Sequence, residues 1–184
     1  MMMSPAVRKI ALTTHVTVSV GWIGAVAAFS ALALAGLISR DPQVHQVAYV
    51  AMEVITWWVI VPFCLASFVS GVISSLGTEW GLFRHYWVIV KLVITVVATF
   101  GLLVHTQAIS HLARADPSDE NLLPLRIQIL VAAALALLAL TVANVLSVYK
   151  PRGLTRYGWR KQQEQRLSQW RTSPAQPRPI SESL

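Results

Sequence analysis

The chain has 184 residues, of which 55% are hydrophobic and only 12% charged, with a formal net charge of +7. An ordinary soluble domain is about 25% charged, so this composition excludes that class and points to an integral membrane protein. The basic excess has two candidate partners, nucleic acid and anionic lipid, and the placement of the basic residues along the chain decides between them.

Four apolar stretches account for the composition, at about residues 10–38, 47–76, 87–113 and 124–149. Each exceeds the roughly 18–20 residues needed to cross a hydrocarbon core about 30 Å thick. In lipid only a helix satisfies every backbone group within one segment. The expected fold is therefore all-α, a four-helix transmembrane bundle over residues 1–150, followed by a basic tail over residues 151–184. The end of the tail is rich in proline and serine, with too little apolar surface to pack, and is expected to be disordered after about residue 173.

Arg8 and Lys9 precede the first span, and Ala33-Leu34-Ala35 resembles a signal cleavage site. The apolar region is much longer than the 7–15 residues typical of a signal peptide, so an uncleaved span is expected. Within it His15, Ser19 and Trp22 share a face. The second span contains one acid, Glu53, and the only cysteine, Cys64, which therefore forms no intrachain disulfide. Glu53, Trp57, Cys64, Ser67, Gly71 and Ser74 follow helical steps along one face. Ser67, Gly71 and Ser75 repeat every four residues, a spacing that allows helices to approach closely. Pro62, near mid-span, removes a backbone donor and predicts a kink.

Between spans two and three runs TEWGLFRHYWVIVK, residues 78–91. Trp80, Tyr86 and Trp87 suit the interfacial aromatic belt, Arg84 can snorkel to headgroups, and Gly77 and Gly81 bracket a turn, so the stretch reads as a re-entry loop. Lys91, Thr95, Ala98, Leu102 and His105 then form a stripe on span three, with Lys91 near enough to the interface to snorkel. On span four, Arg126 and Asn144 are eighteen residues apart and share a face.

Orientation follows from the basic residues. Arg8 and Lys9 flank the start, and from Lys150 onward eight lysines and arginines face only Glu164 and Glu182. The loop after span one holds Arg40 against Asp41, and the loop after span three holds Arg114 against Asp116, Asp119 and Glu120. Both termini are thus expected in the cytoplasm, and an even number of spans requires both ends on one side. Near an anionic leaflet each basic residue contributes about 1 kcal/mol of attraction. Arg84, Lys150, Arg152, Arg156, Arg160 and Lys161 are accordingly assigned to lipid headgroups, with Tyr157, Trp159 and Trp170 interleaved, and nucleic acid is not expected as a partner.

The 78–91 stretch, taken with Val148-Tyr149-Lys150-Pro151-Arg152-Gly153 at the end of span four, resembles a group of uncharacterised bacterial four-span membrane proteins. In that group a WGLxRHYWVxxK-like loop opens the third helix and a YKP-like turn ends the fourth. The likeness covers residues 77–91 closely and the four-span plan overall, and leaves residues 162–184 unmatched. It implies a bacterial cytoplasmic-membrane setting and carries no activity. A looser likeness of plan, to four-helix b-type cytochromes and copper-resistance membrane proteins, rests on histidines in a bundle, and fold does not imply function.

Ionisable groups inside a membrane are costly and invite a functional reading. Glu53 and Arg126 lie at similar expected depth, which predicts a buried ion pair between them. The histidines divide by depth: His15 and His85 toward the cytoplasm, His45, His105 and His111 toward the outside. Only the pairs His45/His105 and His15/His85 sit near enough in depth to hold haem b between helices, and neither matches well. No H-x-x-x-H, E-x-x-H or C-x-x-C spacing marks a metal site, and no nucleophile elbow, phosphate loop or carboxylate pair marks an enzyme. Three readings remain in order. The first is a non-enzymatic membrane protein, an assembly or accessory partner with no cofactor, forming a homo-oligomer or joining another membrane protein. The second is a haem-binding bundle using one of the histidine pairs. The third is a small oligomeric transporter using Glu53, Arg126 and Lys91, although no inverted repeat is visible.

Overall fold

The computed structural model describes residues 4–76, 86–116, 119–149 and 155–172. Among these, helices account for nearly all of the chain and no strand occurs. Helix α1 runs over Pro5–Ile38, α2 over Pro42–Ile55, α3 over Val61–Leu76, α4 over Tyr86–Arg114, α5 over Leu123–Tyr149 and α6 over Arg156–Thr172. A π-helical turn, Thr56–Ile60, joins α2 to α3, and a 3₁₀ turn, Glu120–Leu122, leads into α5. Because α2, the π turn and α3 are continuous, four helices are long and apolar enough to cross a membrane: Pro5–Ile38, Pro42–Ser75, Tyr86–Arg114 and Leu123–Tyr149. The chain is a four-helix transmembrane bundle, with the four expected spans in place. The expectations placed on Arg84, His85, Lys150, Arg152 and the end of the tail lie outside the described residues.

The first two spans begin about five residues before their apolar runs because polar caps extend them. Ser4 Oγ accepts from the Val7 N–H at 3.5 Å, and Asp41 Oδ1 accepts from the Gln43 N–H at 2.9 Å. Each cap is followed by proline at the first helical position, where its missing N–H is not needed. Residues 39–41 alone separate α1 from α2. At the far end of α4, His111 and Arg114 lie in the last turn and complement the negative end of the helix dipole.

Helix α1 packs against α2, α3 and α5, while α4 packs against α5 and α2 and touches α3 only slightly. The shared interior is apolar: Trp22, Val26 and Phe29 from α1, Tyr49 and Met52 from α2, Ile60 and Cys64 across the π turn, and Ile109, Leu112, Ile129 and Leu140 from α4 and α5. Large apolar side chains also cover the outer faces, among them Val97, Phe100, Leu103 and Val104 of α4. A soluble protein would not leave so much of this surface uncovered, but a hydrocarbon solvent requires it.

The kink expected from Pro62 takes the form of the π turn. Proline at 62 has no N–H to give, and its ring crowds the carbonyl four residues earlier, that of Trp58. Just upstream, the Val61 N–H bonds the Thr56 carbonyl, an i→i+5 link. Thr56 also back-bonds through its hydroxyl to the Met52 carbonyl at 2.7 Å, a contact that itself bends helices. The widened turn has a packing consequence. In an α-helix each four-residue step drifts by about 40°, yet Met52, Thr56, Ile60 and Cys64 are all buried at successive four-residue steps. The π turn absorbs the drift. It also explains why Trp57, expected on the interior face, is 49% exposed.

Candidate functional site

The bundle has two polar zones separated by its apolar middle. The near end is the one where α1 and α4 begin and α3 and α5 finish. There Lys91 Nζ lies 2.7 Å from Ser147 Oγ on α5 and 3.3 Å from His15 Nε2 on α1. His15 Nδ1 lies 3.1 Å from Ser70 Oγ on α3. The direction of each bond can be assigned. Ser70 spends its one hydrogen on the Ala66 carbonyl at 2.6 Å, so its oxygen accepts and His15 carries its proton on Nδ1. His15 Nε2 is then an acceptor for Lys91. Ser147 likewise donates to the Ala143 carbonyl at 3.0 Å and accepts from Lys91. Lys91 therefore donates twice, to α1 and to α5, and no carboxylate among the described residues is bonded to it. Gly71 makes room for this arrangement, since a Cβ there would lie 3.0 Å from His15 Cε1.

Toward the middle of the bundle the polar contacts continue as a ladder. Ser19 and Ser67 lie 2.9 Å apart between α1 and α3, and Cys64 Sγ lies 3.0 Å from Thr99 Oγ1 between α3 and α4. Ser74 Oγ reaches the Ala11 carbonyl at 3.4 Å. Hydroxyl bonds of this kind between membrane helices contribute about 0.6–2 kcal/mol each. The Ser19–Ser67 and Ser74–Ala11 contacts hold α1 against α3 in antiparallel register, and Cys64–Thr99 ties α3 to α4.

The far end holds the remaining charges. Glu53 pairs with Arg114 of α4 at 3.5 Å, which corrects the expected Glu53–Arg126 pair. The reason is helical: side chains lean toward the N-terminus of their own helix, so the guanidinium of Arg114, at the last residue of α4, turns back toward Glu53. The Arg114 side chain is 79% exposed and that of Glu53 23%, so the pair is screened and worth about 1 kcal/mol or less. Arg126 instead lies over the ring of Tyr49, 5.9 Å from its centroid. Tyr49 packs against Gly36, where a Cβ would come within 3.1 Å of its ring, and against His45 at 4.9 Å between centroids. His45 Nε2 and the Tyr49 hydroxyl are buried with no hydrogen-bond partner.

The structure does not bring His45 and His105 together, and His85 lies outside the described residues. Gln46 Nε2 donates to the Ala113 carbonyl at 2.7 Å, which fixes the register of α2 on α4. His45 is then level with the last turn of α4, and His105 lies eight or nine residues deeper, roughly 12–14 Å along the axis. His105 Nδ1 bonds the Gly101 carbonyl of its own helix at 2.7 Å. At the near end both ring nitrogens of His15 are occupied, by Ser70 and Lys91. His111, on α4, lines a shallow depression with Gln107, Ser110, Arg114 and Ala115. Among the described residues no group of three or more histidine, cysteine or acidic side chains is placed to hold a metal ion.

Ser147 and Ser70 complete the Lys91 site and were not anticipated from the sequence. Ser147 is the one serine of α5 and Ser70 is one of four on α3, and their relevance depends on the register between helices, which no spacing within one helix reveals. Asn144, expected to share an inward face with Arg126, is exposed. Comparison of the chain with protein-family models, with curated proteins and with solved structures finds no match.

Proposed function

We propose that this is a non-enzymatic multi-pass protein of a bacterial cytoplasmic membrane, with both termini in the cytoplasm, that acts as an assembly partner through its third span. One observation carries the reading. Within the 18-residue apolar window of α4 no residue is buried by the rest of the chain, whereas a third of the α1 window is. Helix α4 leans on α5 and α2, leaves its flank toward α3 nearly empty and presents Val97, Phe100 and Val104 outward. A second membrane helix seated there would complete the bundle, and a second copy of this chain is the simplest occupant. The cytoplasmic orientation rests on the basic residues at both termini, and the bacterial setting on the resemblance carried by residues 78–91.

The haem and transporter readings draw less support. His45 and His105 differ in depth and both ring nitrogens of His15 are already bonded, and the charges needed for transport are split between the two ends, with an apolar core including Phe29, Ile60 and Leu140 between them. A photo-crosslinker at Phe100 tests the assembly reading in membranes. A discrete band at twice the 20.2 kDa chain mass is expected. A discrete band of another mass would identify a different protein partner, and adducts to lipid alone would contradict the reading.

A further inference from the structure

The Lys91 site is built more fully than helix packing requires. Its backbone lies five residues into α4, roughly 7–8 Å past the helix start, and its ammonium is held between helices by His15 and Ser147, where an uncompensated charge is expensive. Its two recorded partners, the imidazole of His15 and the hydroxyl of Ser147, are neutral acceptors. Of the described acids, Asp41, Glu53, Asp116 and Asp119 belong to the opposite end, and Glu164, exposed on α6, forms no ion pair with Lys91. The third N–H of Lys91 and its charge are therefore not matched by any described carboxylate. The neighbouring geometry leaves an approach, because α4 scarcely touches α3. The same end carries exposed Arg8 and Lys9 at the start of α1.

We propose that Lys91, held by His15 and Ser147, receives the phosphate of an anionic phospholipid that enters between α3 and α4. A phosphate oxygen supplies both the missing acceptor and the missing negative charge, and the acyl chains of the lipid lie along the α3–α4 groove, leaving the outward face of α4 with Val97, Phe100 and Val104 to the partner helix. Basic pockets between membrane helices are a recurrent way of holding such headgroups. The proposal rests on the reading that the near end faces an anionic leaflet, and does not depend on the assembly role of α4.

Native mass spectrometry of the full-length protein in neutral detergent, with phosphatidylglycerol or phosphatidylcholine of the same acyl chains, tests it. Wild type is expected to retain phosphatidylglycerol about fivefold better than phosphatidylcholine, the equivalent of one basic residue's attraction to an anionic leaflet. Lys91→Met and Lys91→Gln should reduce that ratio to near one, and Lys91→Arg should preserve it. The ratio should survive replacement of Arg152, Arg156, Arg160 and Lys161 together by glutamine. A ratio lost in this tail variant but kept in Lys91→Met would overturn the Lys91 site while leaving the basic tail as the lipid contact. Inorganic phosphate in thermal melts should give no protection; Lys91-dependent protection by phosphate alone would show that the ligand is a free anion and not lipid. Should the neutral variants not insert, equal retention of the two lipids by wild type, or loss of the ratio in a folded Lys91→Arg, would overturn the proposal.

Discussion

At the scale of single residues, the structure separates close contacts from open space. A Cβ at Gly71 meets His15 Cε1 at 3.0 Å and one at Gly36 meets the Tyr49 ring at 3.1 Å, whereas Gly24 and Gly101 have nothing within 4 Å. Gly71→Ala and Gly36→Ala should each destabilise the protein by about 1–3 kcal/mol through overpacking. Gly24→Ala should be neutral or raise the melting temperature, since alanine gains up to about 1 kcal/mol in helix propensity. Equal effects at all three positions in a detergent melt would refute these contacts. The revised pairing of Glu53 gives a second test. In a double-mutant cycle Glu53→Gln and Arg114→Gln should couple by no more than about 1 kcal/mol, because the arginine is largely exposed. Glu53→Gln and Arg126→Gln should add independently, and coupling between them would restore the pair expected from depth alone. For the histidines, protein expressed with supplemented haem should show no stoichiometric Soret band. A strong band that disappears in both His45→Ala and His105→Ala would promote the haem reading.

At the scale of elements, the π turn sets the face that α3 presents. Trp58 is 79% exposed within the turn, so its deletion should convert the turn to ordinary helix without moving the buried face. Deleting Leu65, which is also exposed, lies beyond the turn and should rotate Ser67 away from α1 by about 100°. Ser19→Cys with Ser67→Cys, in a Cys64→Ala background, reads this directly, because the two hydroxyls are 2.9 Å apart. The disulfide should form after deletion of Trp58 and fail after deletion of Leu65. Much at this scale was legible beforehand. The four spans follow from unbroken apolar runs longer than a bilayer, and Pro62 marked the irregularity because a missing N–H has only a few structural outcomes. The form of the irregularity was not legible, since a one-residue widening depends on Thr56 and the packing of Met52, Ile60 and Cys64. For the same reason a stripe drawn at constant helical pitch carried Trp57 inward when the chain turns it outward. The ladder from Ser74 to Ser67 was half legible. The serine and glycine spacing revealed a packing face, but the partners His15, Ser19 and Ser147 depend on register between helices.

At the scale of the whole molecule, the chain places one half-buried lysine without a described carboxylate at the near end and its acid–base pair at the far end, with an apolar core between. That polarity has meaning only if the bundle is inserted in one direction. Truncation after Arg171 should leave insertion intact. Replacing Arg152, Arg156, Arg160 and Lys161 by glutamine should weaken orientation or the attraction of the tail to an anionic membrane surface while sparing the lipid held at Lys91, and unchanged topology and surface binding would remove the electrostatic role of the tail. The most direct measurement is the sidedness of both ends and both outer connections in one experiment. In a Cys64→Ala background, single cysteines at Ser4, Asp41, Asp116 and Ser168 can be labelled with a membrane-impermeant maleimide in intact cells expressing the protein. The account predicts labelling at 41 and 116 before lysis, and at 4 and 168 only afterwards. Labelling of 4 or 168 in intact cells, or protection of 41 and 116, would contradict the orientation on which the proposed function and the lipid site both depend.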